Sequence, residues 1–377
     1  MNRSPLLPPG VAPTESMALY NDTSDPFAWG LRPDQDYLLT GPLPEDPAAF
    51  ETMNVWMFDG PRDVAFNIHA IMRHGQMHAM VSVFLPDGRI LRTRSDEAAR
   101  FDDPARPQSR HVAYHCEQPF RAWTFTVTEL PVWVTSKAQL DAGVITDETP
   151  TTTVSFAARA TMVAPIYLQG GLLPEAAEAV RGEAGLWLAA RLPSGMNPES
   201  FRFDQMHHSV GSVTFEGQTH AFDGYGLRGH VRGVRVLGGM HGHTWLAGVF
   251  PSGTAFEIQT FPRPEGGFFF TEAYVYKDGI MHPNRVVYAP TMNYDPDQGD
   301  FVVELACDGL GLTRIAGRDK RLFWWSMPAW GTVEPPRWGI DPKAELVMRQ
   351  AAAEYTLDGE TGWGMNERSG PRPAGGR

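Results

Sequence analysis

The sequence has little of what marks several common classes of protein. Only two cysteines, Cys116 and Cys307, occur in 377 residues, and their spacing fits neither a disulfide framework nor a zinc site. No window approaches the roughly 18 apolar residues of a membrane-spanning helix, and the N-terminus lacks the apolar core of a secretory signal. We therefore expect a soluble protein of the cytoplasm with no membrane span.

Positive charge is also scarce. The chain carries 32 Lys and Arg residues against 44 Asp and Glu residues, which gives a formal net charge of −12. No run of basic residues is long enough to neutralise several phosphates, so a nucleic-acid partner is not expected. A hydrophobic small molecule is the partner that this composition favours.

Signatures of cofactor-dependent enzymes are missing as well. The sequence contains no dinucleotide-binding Gly-x-Gly-x-x-Gly unit, no Walker A loop, no Gly-x-Ser-x-Gly elbow and no His-Glu-x-x-His pair. His241 and His243, with His207-His208 before them, offer several imidazoles, but no acidic residue stands at a diagnostic metal-ligand spacing. We expect neither a metal nor a cofactor.

Turn-forming and aromatic residues are abundant. The chain has 38 Gly and 32 Pro residues and is 11% aromatic, a composition typical of short strands joined by tight turns. Strand-like alternation runs through residues 51–163 and resumes after residue 198, and one helical pattern covers residues 173–190. We predict an all-β protein with two tandem antiparallel barrels and one or two short helices.

The domain boundaries follow from the same patterns. Residues 1–50 form a Pro-rich N-terminal extension, residues 51–197 the first barrel and residues 198–370 the second. The proline density of the extension allows only extended or turn backbone. Because such a segment can wrap over a barrel or a partner subunit, a homodimer is a further expectation.

Three segments of the C-terminal half carry a family resemblance. Residues 224–235 (GYGLRGHVRGVR), preceded by residues 203–205 (FDQ) and 213–217 (VTFEG), resemble the second-domain signature of the lipocalin-like family that includes AttH proteins and carotenoid 1,2-hydratase (hydroxyneurosporene synthase). Residues 354–368 (EYTLDGETGWGMNER) are similar to the closing strand pair of that family. The resemblance implies two lipocalin-like (calycin) barrels that hydrate, dehydrate or cyclise large apolar substrates without a bound cofactor.

The sequence departs from the family at one place. The family pattern Arg-Asp-His-Ser-Trp-Gly corresponds to residues 228–233, which read Arg-Gly-His-Val-Arg-Gly here. The arginine and the histidine are kept, but the acid, the hydroxyl and the indole are absent. His230 must therefore find its orienting carboxylate elsewhere.

The densest polar cluster contains the predicted catalytic residues. Asp223, Tyr225, Arg228, His230 and Arg232 lie close together in a glycine-rich segment. A histidine titrates near neutral pH and can move a proton, while an arginine can stabilise charge on oxygen. We predict His230 as the acid or base, Arg228 and Arg232 as the oxygen-stabilising groups, and Tyr225 and Asp223 as assisting groups.

A second group of residues is predicted to contact substrate. Glu257 and Glu272 interrupt apolar strands, where an inward carboxylate would have a raised pKa, although an outward charge on a solvated face stays open. An inward histidine could bond a substrate oxygen, and aromatic side chains could line an apolar cavity. The predicted substrate-binding residues are Trp56, His69, Trp123, His243, Trp245, Glu257 and Glu272.

These observations favour a cofactor-independent lyase. Its reaction would be hydration, dehydration or retro-aldol cleavage of a bulky aromatic or isoprenoid alcohol held between the two barrels. Two alternatives remain: a non-catalytic binding or carrier protein for a hydrophobic metabolite, and an isomerase or cyclase.

Overall fold

The structure is a computed structural model of the whole chain. It describes residues 25–29, 31–38, 43, 45, 49–73, 76–93, 98–99, 103–143, 145–181, 201–234, 241–294, 299–327, 337–338, 344 and 346–371. Two antiparallel sheets account for most of these residues. A single 3-10 turn (Pro33–Asp36) and two short helices, α1 (Lys137–Asp141) and α2 (Pro174–Arg181), accompany them.

The first sheet closes into an eight-stranded barrel. Its strands follow the order β11-β1-β2-β3-β4-β7-β8-β10, and pairing of β10 with β11 completes the ring, while β5, β6 and β9 pair outside it. The strands are β1 (Ala49–Asp59), β2 (Val64–Arg73), β3 (Gln76–Phe84), β4 (Arg89–Thr93), β5 (Ala98–Ala99), β6 (Val112–Gln118), β7 (Ala122–Ser136), β8 (Thr151–Met162), β9 (Tyr167–Leu168), β10 (Phe201–Phe215) and β11 (Gln218–Val234).

The second sheet forms a ring of the same size. Its order is β16-β15-β14-β13-β12-β20-β19-β17, and pairing of β16 with β17 closes it, with β18 added beside β17. The strands are β12 (His243–Val249), β13 (Ala255–Pro262), β14 (Phe268–Lys277), β15 (Ile280–Tyr288), β16 (Asp300–Cys307), β17 (Gly311–Met327), β18 (Arg337–Trp338), β19 (Leu346–Leu357) and β20 (Glu360–Pro371). The predicted all-β architecture of two antiparallel barrels is confirmed.

Strand β8 shows how the sequence builds the first barrel. Its residues alternate between exposed and buried, and the buried ones include Val154, Phe156 and Ala158. These side chains join the apolar interior of the first barrel. Period-two alternation is what a strand needs when one face lies inside a barrel and the other in water.

Sheet membership differs from the predicted division of the chain at residue 198. Strands β10 and β11, which the sequence analysis assigned to the second barrel, pair with β8 and β1 and close the first one. The Pro- and Gly-containing stretch before residue 198 interrupts the strand series without ending the sheet. The last strand of the first barrel ends at Val234, and the first strand of the second barrel begins at His243.

Two other predictions concern segments beside the barrels. The predicted helix at residues 173–190 begins with Pro174 and is observed as α2, and residues 182–190 lie outside the described part of the chain. Of the Pro-rich extension, residues 1–24 are likewise outside it. The described part runs against the first barrel, where Asp36 and Leu38 are completely buried.

Candidate functional site between the barrels

The outer faces of the two barrels pack against each other, and we call this contact the seam. Strands β1, β10 and β11 meet strands β12, β19 and β20 there. The Phe84 ring lies 6.1 Å from that of Trp56 and 5.7 Å from that of Phe323, so aromatic stacking crosses the seam. Because β1 faces a barrel interior on one side and the seam on the other, all of its residues are buried.

A polar patch interrupts the apolar seam where β10 approaches β13. Asp204 and Glu257 are both fully buried. Gln259 Nε2 donates to Asp204 Oδ2 at 2.6 Å and to Glu257 Oε1 at 2.8 Å, so one amide bridges the two carboxyl groups. Asp204 Oδ1 and Glu257 Oε2 have no hydrogen-bond partner among the described residues. A single proton between the two carboxyl groups would give these oxygens the donor that they lack.

The surroundings of this pair favour that shared proton. Burial raises the pKa of Glu257 well above its usual range, and the charge of Asp204 and its hydrogen bond raise it further. The hydrogen bond from Gln259 and the charge of Arg202 oppose this shift without cancelling it. The pKa of Glu257 is therefore raised well above its usual range, which favours the protonated form of this carboxyl group.

Gly229 leaves the space in which the acid pair lies. A Cβ atom at this position would be 2.6 Å from Asp204 Oδ1 and 3.3 Å from the Trp245 ring. Asp204 on β10 lies directly opposite Gly229 on the paired strand β11. The Asp204 carboxylate therefore occupies the space that a side chain at position 229 would fill.

Trp245 forms one wall of the patch. Its Nε1 donates to Glu257 Oε1 at 3.0 Å, and the guanidinium of Arg202 lies 4.7 Å from its ring centroid. Arg202 Nη2 also donates to Asp204 Oδ2 at 3.2 Å. The Tyr274 hydroxyl adjoins Glu257, and burial followed by the charges of Glu257 and Asp204 raises its pKa. An acid, a charge-stabilising cation and two aromatic side chains therefore share one buried place.

Glu272, also on the seam, fastens the two barrels together. Its carboxylate accepts hydrogen bonds from the Tyr167 hydroxyl at 2.6 Å and from the backbone amides of Gly170, Leu172 and Leu173 at 2.7, 2.8 and 2.8 Å. Burial raises its pKa to about 7, although these hydrogen bonds oppose the shift. With four donors around two oxygens, the geometry favours a connecting role over contact with substrate.

His243 lies at the start of β12 and has two side-chain partners on β20. Its Nδ1 is 2.6 Å from Ser369 Oγ, and its Nε2 is 3.0 Å from Glu367 Oε1. Burial acts to raise the pKa of Glu367, but the hydrogen bond and charge of His243 outweigh it and the pKa is lowered. His69 on β2 contributes in the same direction, so it also lies near this carboxylate.

Arg228 and Trp123 lie inside the first barrel instead. Arg228 Nη2 is 2.6 Å from Asp36 Oδ1, and both side chains are completely buried. Asp36 Oδ2 accepts from Trp123 Nε1 at 2.9 Å and from the Phe120 amide at 2.7 Å. The predicted oxygen-stabilising arginine is thus paired with an acid of the N-terminal extension, and the predicted substrate-binding tryptophan holds the same acid.

His230 and Arg232 share the inward face of β11 with Arg228. His230 Nε2 is 2.7 Å from Glu51 Oε1, and Arg232 Nη1 is 2.6 Å from Glu51 Oε2. Glu51 on β1 is therefore the carboxylate that orients the histidine. The rings of Phe201 and Phe203 meet His230 edge-on at 4.9 and 5.1 Å.

Tyr225 and Asp223 occupy the opposite face of the same strand. Asp223 has a half-exposed carboxylate, 2.6 Å from His208 Nε2. The Tyr225 ring stacks on Trp363 with 6.1 Å between centroids. Because neighbouring positions on a strand point to opposite faces, the five predicted catalytic residues do not form one site.

The structure thus sorts the predicted residues into three places. Arg228, His230, Arg232 and Trp123 lie inside the first barrel, and Asp223 lies half-exposed on its outer face. Tyr225 reaches the seam, where it stacks on Trp363 of the second barrel. Glu257 and Glu272 lie neither inside a barrel nor on a solvated face, the two options that the sequence left open, and His69 is not inside a barrel. Six of the seven predicted substrate-binding residues lie at the seam: Trp56, His69, His243, Trp245, Glu257 and Glu272.

Sequence reasoning missed the partners of these residues. Asp204 and Gln259 at the patch, and Glu367 and Ser369 beside His243, were not selected. Asp204 belongs to the FDQ segment that precedes the glycine-rich motif, and its place in that segment was an available signal. Nothing in the local sequence shows that it meets a residue of the other barrel.

Two negative findings apply to the described residues only. No group of three or more His, Cys, Asp or Glu side chains among them is arranged to hold a metal ion. Within the same residues, no helix has the length and apolar character needed to cross a membrane.

The fold and the site define a class: an all-β protein of two barrels with buried acid–base groups between them. The chain belongs to the family described as "Domain of unknown function (DUF7064)", whose profile matches residues 33–372. A search of curated proteins finds no match to the sequence.

Several solved structures are similar to the chain in fold. An AttH-like protein from Nitrosomonas europaea has 12% identity and a TM-score of 0.47, over 89% of this chain and 98% of that one. CghA bound to Sch210972 has 13% identity and a TM-score of 0.48, over 86% and 89%. Kievitone hydratase from Nectria haematococca has 9% identity and a TM-score of 0.42, over 87% and 90%. At such values the similarity bears on the fold alone.

Proposed function

We propose that the protein is a lyase of the hydratase or dehydratase kind that acts on a bulky hydrophobic alcohol at the seam. The observation that carries this proposal is the buried pair of Asp204 and Glu257, in which burial and the neighbouring charge raise the pKa of Glu257 beside Trp245. A reversible loss of water needs a proton donor for the oxygen and an acceptor for the carbon-bound proton. The pair contains both in one place.

The reaction balances within the two carboxyl groups. Glu257 gives its proton to the substrate hydroxyl, and the carbon–oxygen bond breaks to release water. Asp204 takes a proton from the adjacent carbon as the double bond forms. Transfer of that proton to Glu257 restores the starting state, and hydration is the same sequence in reverse.

The seam supplies the surroundings that such a substrate needs. Its walls are aromatic and aliphatic, which suits a large apolar skeleton. Three polar atoms in this region, Trp56 Nε1, Trp325 Nε1 and the Tyr274 hydroxyl, are buried without a hydrogen-bond partner among the described residues. Such groups are expected to bind the oxygen atoms of a ligand.

Turnover of defined alcohols tests the proposal. The purified protein would be incubated with linalool, α-terpineol and bulky benzylic alcohols, with alkene formation followed by mass spectrometry. Incorporation of oxygen from isotopically labelled water would report the reverse reaction. Because each variant removes one proton-transfer group, E257Q and D204N are expected to slow turnover by about 10²–10⁴-fold.

A matched variant controls for unspecific effects. Glu304 lies on the exposed side of the second barrel, paired with Arg314 at 3.8 Å, so E304Q should turn over like the wild type. Wild-type turnover in both E257Q and D204N would contradict the proposal. The reaction proposed at the seam assigns no step to His230, and the variant H230Q tests the catalytic role that the sequence predicts for this residue.

A binding protein for a hydrophobic metabolite is the second candidate. The apolar extent of the seam favours it, because Trp56, Phe84 and Phe323 would suit a carrier equally well. Binding without turnover, with equal affinity in the wild type and E257Q, is the result that this alternative expects.

A further inference from the structure

Three side chains at the edge of the seam form a chain of hydrogen bonds that the proposed lyase reaction does not use. Ser369 Oγ is 2.6 Å from His243 Nδ1, and His243 Nε2 is 3.0 Å from Glu367 Oε1. Gln350 Nε2 donates to the other oxygen of Glu367. A hydroxyl, an imidazole and a carboxylate thus follow one another in the order found at activated serine nucleophiles.

The hydrogen-bond directions are consistent with that role. The backbone amide of His243 donates to Ser369 Oγ at 3.0 Å, so this oxygen acts as an acceptor there and its own hydrogen is left for Nδ1. Nε2 then carries the ring proton and donates it to Glu367. The lowered pKa of Glu367 keeps this residue ionised, and an ionised carboxylate stabilises the imidazolium that forms when the serine gives up its proton.

The backbone holds the three groups in place. Glu367 and Ser369 are two positions apart on β20, so their side chains lie on the same face of the sheet. Ser369 lies directly opposite His243 on the paired strand β12. Gly242 has φ +116°, and a Cβ atom there would lie 2.2 Å from the carbonyl oxygen of Ser369. Only glycine permits this approach of the two strands at this backbone conformation.

We propose that Ser369 is the nucleophile of an acyl-transfer site, with His243 as its base and Glu367 as the orienting acid, and that the site takes esters of hydrophobic alcohols or acids. The position beside the apolar seam accounts for the hydrophobic group. The proposal stands on different residues from the lyase reaction and does not depend on it.

The step is balanced as follows. Ser369 Oγ forms a bond to the ester carbonyl carbon, and its proton passes to His243 Nδ1. The carbon–oxygen bond of the ester breaks, and the departing alcohol takes that proton. Water then attacks the acyl-serine with the same base, which releases the acid and restores the serine.

A second Ser–His pair in the chain provides an internal comparison. Ser209 Oγ is 2.9 Å from His207 Nδ1, and both residues are buried in the first barrel. His207 Nε2, however, has no hydrogen-bond partner in the described structure. Burial, followed by the charge of Arg228, lowers the pKa of His207 to about 3, so this histidine is a poor base at neutral pH. Ser209 is therefore expected to be inert.

Diisopropyl fluorophosphate tests the proposal on the full-length protein without knowledge of the natural ester. The serine oxygen would bond to phosphorus, fluoride would leave, and the adduct would be read by intact-mass and peptide mass spectrometry. We expect one adduct per chain, on Ser369, absent from S369A and unchanged in S209A. H243Q, which removes the base, should react about 10²–10⁴-fold more slowly than the wild type. E367Q, which removes the orienting acid, should also react more slowly.

The remaining outcomes decide against the proposal. No adduct on the wild-type protein, or an adduct that S369A retains, would overturn it, as would equal labelling rates in the wild type and H243Q. Thermal unfolding of each variant confirms that the label is compared between folded proteins. E257Q should label like the wild type while S369A still dehydrates alcohols, so failure of one site is distinguishable from failure of the other.

Discussion

Asp204 and Glu257 belong to different barrels, yet the side-chain amide of a single glutamine, Gln259, donates to both of their carboxyl groups. Within their own barrels, Asp204 also accepts from Arg202 and Glu257 accepts from Trp245. The contact that joins the barrels is therefore also the contact that raises the pKa of Glu257, through burial and through the charge of Asp204.

The protonation state of Glu257 predicts how its variants fold. E257Q replaces a neutral acid with a neutral amide and keeps an oxygen for Trp245 and Gln259, so its free energy of unfolding should fall by less than about 1 kcal/mol. E257A leaves those two buried donors without an acceptor, at about 1–3 kcal/mol each. Urea unfolding measures both, and equal losses would indicate that Glu257 is ionised.

Glu272 predicts a dependence of stability on pH. Its pKa rises from an ordinary 4.5 to about 7 in the folded protein, mainly through burial, so the folded state binds the proton more tightly than the unfolded state. The stabilisation that the protonated Glu272 side chain gives the folded state is therefore complete below pH 4.5 and is lost as the pH rises through 7. Over this pH range the free energy of unfolding should fall by an amount on the order of 3 kcal/mol.

The variant E272Q isolates this effect. Urea unfolding of the wild type and E272Q on both sides of that pH range should give a smaller pH dependence in the variant. Parallel pH profiles for the two proteins would rule out Glu272 as the titrating group.

Gly229 predicts a steric effect on the acid pair. In G229A the new methyl group would meet Asp204 Oδ1 and the Trp245 ring, so both must shift. Overpacking of this kind costs about 1–3 kcal/mol, and turnover should fall because the pair is displaced. Unfolding and turnover measured together check this, and a variant with wild-type values for both would contradict the assigned geometry.

The pair of Asp36 and Arg228 predicts a large effect on stability. D36N leaves the Arg228 charge buried without its counter-ion, which should cost about 3–5 kcal/mol. Asp34 in the same 3-10 turn pairs with Arg32 on the exposed surface, so D34N should cost no more than about 1 kcal/mol. If the two variants unfold at the same urea concentration, the N-terminal segment is not anchored in the barrel by this pair.

His230 predicts a separation of folding from catalysis. It lies on the barrel side of β11, held by Glu51, whereas its neighbour Gly229 faces the seam. H230Q can still donate to Glu51 and should keep turnover within a few-fold of the wild type, while E257Q loses it. A folded but inactive H230Q would move the chemistry into the first barrel.

The sequence allowed the architecture to be predicted, because alternation in strands such as β8 reports which face is inside. The sequence led us to expect a substrate between the barrels, but it did not show which strands form the seam. Both faces of such a strand are buried, so the alternation disappears, as in β1. The partners of the selected residues were missed for a related reason. Glu51 and Glu367 meet their partners through pairing of distant strands, whereas Asp204 meets Gln259 across the contact between the barrels. A single sequence carries no local signal of either arrangement.

The most direct test is infrared spectroscopy of the carbonyl stretch of protonated carboxylic acids at neutral pH. One component of this band in the wild-type protein should shift in heavy water and disappear in E257Q, but persist in E304Q and in E272Q, which removes only the component of Glu272. A wild-type spectrum that E257Q leaves unchanged would contradict the central claim that Asp204 and Glu257 hold a proton between the barrels.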